Sequence, residues 1–265
     1  AGYNKVIYLK QGAYVTAKHH YDINSDADNK YGNAETGAAD KGILGGLTRH
    51  PFISSKGQGA VYIYGFGAID LTHLDRGERR GIVFDNANAI QVIGPKLINP
   101  CEWGIVAYQC DNVLLSNVDV YGYRQNSDAF DICNSQNVTV QDCIARTGDD
   151  CFCIKTLGGS EDTAGVTVQN CYAWASKARA FGIFGEVNRP ITDVTFKNST
   201  VLCHEATWDP DLIPAIGIVA VNNDQGLGSI SGVTFENIEI CRNDAAPITC
   251  VTNLPITISD ITFDN

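Results

Sequence analysis

Val138-Thr139-Val140-Gln141-Asp142-Cys143 and Val166-Thr167-Val168-Gln169-Asn170-Cys171 are nearly the same phrase written twice. Four further copies can be laid over them: Val113-Leu114-Leu115-Ser116-Asn117-Val118, Val194-Thr195-Phe196-Lys197-Asn198-Ser199, Val233-Thr234-Phe235-Glu236-Asn237-Ile238 and Ile256-Thr257-Ile258-Ser259-Asp260-Ile261. Weaker copies start at Val61 and Ile90, so successive starts lie 29, 23, 25, 28, 28, 39 and 23 residues apart. Each phrase opens by alternating apolar with polar residues, the period of a half-buried strand. Its first position is always Val or Ile and its third always a large apolar residue, so one inward side chain recurs on every repeat and stacks on its neighbour. In the six clear copies the fifth position is Asn or Asp, whose side chain can bond the backbone at a bend and its counterpart one repeat away; this ladder is expected to face inward. Cys143 and Cys171 share the sixth column with Val118, Ser199, Ile238 and Ile261, which makes them core filler.

No helical period of useful length separates these strands, and the L-x-x-L-x-L frame of leucine-rich repeats is absent. Repeats of this length holding two or three short strands describe a parallel β-solenoid. Parallel crossovers are overwhelmingly right-handed. The expected fold is therefore all-β, a right-handed parallel β-helix forming a single domain over residues 1–265. Residues 1–60 are read as an N-terminal coil with a long excursion, polar and irregular from Lys18 to Lys41, and 61–265 as regular coils. The last repeat reaches Asn265 without a polar cap, leaving apolar edges and strand hydrogen bonds open. Either more chain follows, or this end packs on something; end-to-end self-association is one way to do so.

Composition excludes several classes. Of 265 residues 44% are hydrophobic, enough for a real core and too many for a disordered chain. No run of eighteen apolar residues exists, so no transmembrane helix is expected. A formal charge of −11 argues against a nucleic-acid partner. The ten cysteines lack zinc-site spacing. Cys101 with Cys110 and Cys241 with Cys250 are disulfide candidates, although burial as small hydrophobes is the favoured reading for several cysteines. The absence of Met and of a signal peptide after Ala1 suggests a mature or trimmed form of a longer precursor.

A solenoid leaves its outward faces free, and acidic residues gathered there are informative. Asn126-Ser127-Asp128-Ala129-Phe130-Asp131-Ile132 lies on one coil and Gly148-Asp149-Asp150-Cys151-Phe152-Cys153-Ile154 on the next. Aligning Phe130 with Phe152 and Ile132 with Ile154 sets Asp128 beside Asp150, about 4.8 Å away. Carboxylates so crowded raise at least one pKa. A protonated and an ionised carboxyl together suit glycoside hydrolysis, one as acid and one to activate water. As turn formers, Asp128 and Asp149 admit a purely structural reading as well.

On these two motifs the sequence resembles the polygalacturonase-type glycoside hydrolases, family 28 and its divergent relatives, which are right-handed β-helices. Their signature is N-T-D followed about one coil later by a G/Q-D-D run; here it reads Asn126-Ser127-Asp128 and Gly148-Asp149-Asp150. The resemblance implies that Asp149 is the general acid and that Asp128 and Asp150 hold and activate water in an inverting, single-displacement reaction. It implies no cofactor and no metal, and a polysaccharide or oligosaccharide partner. Most members carry G-H-G on the next coil and R-I-K later. Here Lys177-Ala178-Arg179-Ala180-Phe181-Gly182 stands at the first place and no R-I-K is found. Relatives of the dextranase and isopullulanase type keep the three aspartates without those two motifs and act on uncharged α-glucans, so pectin and neutral glycans both stay open as substrates.

Neighbouring residues supply candidate substrate contacts. Arg179 aligns with Asp150 and Asp128 one coil further on, where a guanidinium would hold a carboxylate ionised or grip the substrate. Lys155, Glu186 and His204 are further candidates, each with a structural alternative. Trp103, Tyr108, Tyr121 and Tyr123 precede the acidic coils and offer rings for sugars to stack on. The expected protein is secreted, outside the cell or in a periplasm, and has no membrane partner. Two rival readings remain: a polysaccharide lyase using Lys155 or Arg179 as base, and a non-catalytic β-helical fibre, adhesin or glycan-binding shaft. Asn137-Val138-Thr139 and Asn198-Ser199-Thr200 are glycosylation sequons, the first at a turn and the second read as inward. Asn24, Asp26, Asp28 and Glu35 follow a calcium-loop spacing, but Asn29 replaces the usual Gly, so a solvated excursion is favoured over a structural calcium near Asp26 and Asp28.

Overall fold

The computed structural model describes residues 5–17, 51–57, 59–75, 78–207, 213–222 and 228–264. The calcium-loop spacing lies outside these residues. Among the described residues there are strands and no helix, and so none long and apolar enough to cross a membrane. Every strand pairing is parallel, and the chain climbs as a right-handed β-helix with three strands per coil.

The first face is built by Lys5–Tyr8, Ala60–Tyr64, Ala89–Ile93, Asp111–Ser116, Gln136–Gln141 and Thr163–Gln169, and then by the opening halves of Ile191–His204 and Ser229–Ile240, ending with Thr257–Asp264. The second face runs from Tyr14–Thr16 through Ala68–Asp70, Lys96–Ile98, Asp119–Tyr121, Ile144–Thr147 and Tyr172–Ala175. The third is a separate eight-stranded sheet: Ile53–Lys56, Ile82–Asp85, Ile105–Tyr108, Phe130–Cys133, Phe152–Thr156, Phe181–Val187, Ile216–Asn222 and Ile248–Thr252.

Alternation puts one apolar column inside at each step. Val61, Ile90, Val113, Val138, Val166, Val194 and Val233 pair in succession, and all are buried. Aromatic rings lock the register. Phe130, Phe152 and Phe181 stack at 4.9 Å between centroids, and Phe196, Phe235 and Phe263 at 4.9 and 4.8 Å. Phe181 meets Phe196 edge to face at 6.3 Å, joining the two stacks across the interior. Such pairs add to the burial of two large apolar surfaces.

Two columns of left-handed backbone bracket the first face. One precedes the inward Val or Ile from Val113 onward: Asn112, Asn137, Gly165, Asp193, Gly232 and Asp260 have φ of 57°, 53°, 66°, 53°, 65° and 54°. The other follows: Asn117, Asp142, Asn170, Asn198 and Asn237 lie between 49° and 56°. Asn and Asp tolerate this region best among residues with a Cβ, which explains the fifth-position column. That ladder faces outward, contrary to expectation. Its members are exposed, and Asn170 Nδ2 donates to Asp142 Oδ1 at 3.3 Å and Asn237 Nδ2 to Asn198 Oδ1 at 2.9 Å. The Asn198 sequon is thus at the surface, like that of Asn137.

The final repeat is also re-phased. Val233 pairs with Ile261, not Ile256, and Phe235 with Phe263. Asp260 therefore belongs to the leading bend. All ten cysteines are free. Neither candidate disulfide forms, and Cys143 and Cys171 are wholly buried in the core as their column predicts. Replacing the middle ring of the first stack, Phe152→Ala, is expected to cost about 3–5 kcal/mol in urea unfolding, with the pairing of neighbouring coils retained.

Candidate active site

At one end of the third face, register stacks Arg80, Trp103, Asp128, Asp150 and Arg179 as one outward column, since Ile82, Ile105, Phe130, Phe152 and Phe181 pair in order two residues further on. Asp149 joins it from the bend before Asp150. Facing oxygens of Asp128, Asp149 and Asp150 lie within 4.8 Å of one another, and the three residues are only 2%, 7% and 3% exposed. They line a cleft of about 270 Å³ with Trp103, Lys155 and Arg179.

Local chemistry holds the two acidic loops together. Arg124 donates to the carbonyls of Thr72 at 2.7 Å and Leu74 at 2.8 Å, on an earlier coil, and Ser127 Oγ donates to the Arg124 carbonyl at 2.6 Å. Gly148 must be glycine because a Cβ there would run into the backbone of Tyr123 and Arg124. The Asn126 amide donates to Asp149 Oδ2 at 2.9 Å, tying one motif to the other.

The charges are paired unequally. Arg179 Nε lies 3.0 Å from Asp150 Oδ1. Lys155 Nζ lies 3.3 Å from Asp128 Oδ2, 3.3 Å from Asp131 Oδ1 and 3.9 Å from Glu186 Oε2, with its ammonium 4.1 Å from the Trp103 ring centre. Burial, reinforced by the charges of Asp128 and Asp150, pushes the Asp149 carboxyl up to about 8. Burial also raises Asp128, which Lys155 draws back, to about 6. Asp131 is pushed well above the usual carboxylate range by burial and by Asp128. Burial opposes the charge on Lys155, but Cys153, Asp131, Asp128 and Glu186 outweigh it and raise its pKa. Three such oxygens would suit a cation by geometry; Lys155 and Arg179 already supply positive charge there.

Of the expected contacts, Arg179, Lys155 and Glu186 line the cleft. Glu186 arrives by an irregularity in the strand pairing at Gly185 and Glu186, the kind of bulge that re-aims a side chain. His204 does not join them: it is wholly buried, with Nδ1 2.6 Å from Asn243 Oδ1. Among the aromatics, Trp103 reaches the cleft, whereas Tyr108 is buried with its hydroxyl on the Gly158 carbonyl. Two residues were not singled out from sequence. Phe184 lies against Arg179, 4.9 Å from guanidinium carbon to ring centre, and fills the place a Gly182 side chain would take. Asp131 is wholly enclosed under Lys155. The alternation in Phe130-Asp131-Ile132 marks Asp131 as outward and nothing more.

Fold and site together define a right-handed β-helix bearing a buried acidic triad in an outward cleft. Residues 52–265 match the sequence profile described as glycosyl hydrolases family 28, and the chain belongs to that family. It is 26% identical over 169 residues to exopolygalacturonase X-1 of Emericella nidulans, covering 58% of this chain and 37% of that protein. It is 25% identical over 206 residues to a probable exopolygalacturonase B of Aspergillus flavus, covering 71% and 43%. The chain thus spans less than half the length of these curated relatives. Among solved structures it resembles a hyperthermoactive exopolygalacturonase from Thermotoga maritima, with TM-score 0.66 and 14% identity over 94% of this chain and 68% of that one. It also resembles an endo-xylogalacturonan hydrolase from Aspergillus tubingensis, with TM-score 0.58 and 13% identity over 99% and 83%.

The raised carboxyls make stability depend on pH. A folded state that keeps protons the unfolded chain releases loses stability as pH rises from the ordinary carboxylate range through the raised values. For Asp149 this window runs from its ordinary 3.8 up to about 8. The thermal midpoint is expected to fall between pH 5 and pH 8.5, and to fall less steeply in Asp149→Asn, as scanning calorimetry of the two proteins will show.

Proposed function

We propose that the chain is the catalytic body of a polygalacturonase-like glycoside hydrolase that cleaves by inversion and acts outside the cell on a polysaccharide or an oligosaccharide cut from one. The meeting of Asp128, Asp149 and Asp150 at the cleft, facing oxygens within 4.8 Å, carries this reading. Asp149, whose proton is retained to about pH 8, protonates the leaving glycosidic oxygen as its bond to the anomeric carbon breaks. Water held by Asp128 and Asp150 adds to that carbon and passes a proton to one of them. No cofactor enters this scheme. The relatives' names make a galacturonate polymer the first substrate to test, and neutral glycans the second.

The rival readings are less well supported. The lyase reading needs Lys155 or Arg179 as an uncharged base, and both are held charged beside carboxylates. A passive shaft has no use for three buried carboxyls, each of which costs stability when ionised.

Reducing-end release from a panel of glycans tests the proposal. Activity is expected to rise as pH climbs through about 6, where Asp128 ionises, and to fall above about 8, where Asp149 loses its proton. Asp149→Asn is expected to lower turnover by about 10²–10⁴-fold. Carboxyl groups in inverting enzymes usually lie about 6.5–9.5 Å apart and in retaining ones about 5–5.5 Å. The tight facing-oxygen distance here makes stereochemistry a separate test. Proton NMR of the first product formed is expected to show the opposite anomer to the substrate, and the same anomer would overturn inversion.

A further inference from the structure

The reaction proposed above leaves one buried pair without work. Asp131 is completely enclosed. It stands in a third-face column whose neighbours on either side are Val83, Val106, Cys153 and Gly182. A carboxyl among apolar residues and a glycine has no packing reason to be there, and burying it is costly unless it is paired. Its partner is Lys155, whose Nζ is equally placed, 3.3 Å from an Asp131 oxygen and 3.3 Å from an Asp128 oxygen.

We propose that Lys155 is a positioning residue: anchored by Asp131, its ammonium holds Asp128 as the ionised, water-activating carboxylate and leaves the proton of the acidic cluster on Asp149. The role given to Asp128 rests on the hydrolase reading; the charge relation does not.

Three observations favour this over direct contact with a sugar. First, Lys155 is only 5% exposed. The Trp103 ring at 4.1 Å and Glu186 at 3.9 Å occupy further sides of the ammonium, so it is not free to reach for substrate. Second, each of the two cations meets one aspartate of the triad. Lys155 serves Asp128, Arg179 serves Asp150, and among the described residues no ion pair reaches Asp149, which takes two backbone amides instead. Unequal pairing is what separates an acid from a base when identical groups crowd together. Third, the directions agree. Burial lifts Asp128, the Lys155 charge pulls it down, and Asp150 pushes it up again. The ionisable groups facing Lys155 are Asp128, Asp131 and Cys133 on the preceding coil, Cys153 on its own strand and Glu186 on the following coil. Those around Asp128 are Asp131, Asp149, Asp150, Lys155 and Arg179.

The test replaces Lys155 by the uncharged Met and by Arg, which keeps the charge. In Lys155→Met the acidic limb of the pH–rate profile is expected to move up by about one pH unit or more, with kcat near pH 6 falling about fivefold or more and KM little changed. Lys155→Arg is expected to return the limb toward that of the parent. A Lys155→Met profile with the parent's limb and only a raised KM would overturn the proposal in favour of a subsite. The same question is asked without turnover by carbon-13 NMR titration of the aspartate carboxyls, with Asp128→Asn to assign the signal. An upward move of the Asp128 titration in Lys155→Met supports the proposal even if no glycan is cleaved, and an unmoved titration sinks it. Should Lys155→Met fold poorly because two buried carboxyls lose their cation, the double variant Lys155→Met, Asp131→Asn removes the charge of Asp131, leaves Asp128 as the one carboxyl without its cation, and is read in the same two ways.

Discussion

Everything in this molecule hangs on strict registry between successive coils. Parallel strands repeat at about 4.8 Å, and stacked rings such as Phe130, Phe152 and Phe181 at 4.9 Å tolerate no slip. A one-residue slip would turn every inward apolar side chain outward. The same constraint acts on the outer surface, where it is not cushioned by choice of rotamer alone. Once Phe130 lies under Phe152, Asp128 must lie under Asp150, and Arg179 above both.

The electrostatic character of the site follows from that enforced closeness. Carboxylates on an open surface would spread apart and keep ordinary acidity. Here the backbone sets their separation, and the three are almost fully buried in a cleft lined also by Trp103 and Phe184. The energetic cost of gathering them is borne by the core beneath. Two cations meet two of the three cleft aspartates, and Asp149, buried and crowded by Asp128 and Asp150, is the one left holding a proton. Glycines do the quieter part of this work: Gly148 lets two loops touch, and Gly182 makes room for the ring against which Arg179 lies.

Much of this was legible in the sequence because columns repeat. The alternating phrase from Val138 to Cys143 carries both the strand and its orientation, and the paired motifs at Asp128 and Asp149 follow from counting along one coil. What escaped reading is what depends on contacts between coils. Ile256-Thr257-Ile258 and Ile261-Thr262-Phe263 both fit the pattern, and only the Phe235 ring decides for the second. The Asn ladder is polar at a bend, and a bend can turn a side chain either way; left-handed backbone turns it out. Asp131 looks like any outward residue of a strand until Lys155, from the next coil, is seen to close over it. His204 shows the converse, a polar residue of the kind that decorates sites, sunk completely in the interior.

The first coil has a consequence of a different kind. Lys5 pairs with Val61, fifty-six residues on, while Val61 pairs with Ile90 after twenty-nine. Both steps climb a single rung. In a stack held together by nearest neighbours, a doubling of loop length adds only about 0.6 kcal/mol of closure entropy. The rungs are therefore rigid in pitch and permissive in circumference. Such a body can acquire new walls around its cleft, and with them a new diet, by lengthening loops while the column of charges stays where registry put it.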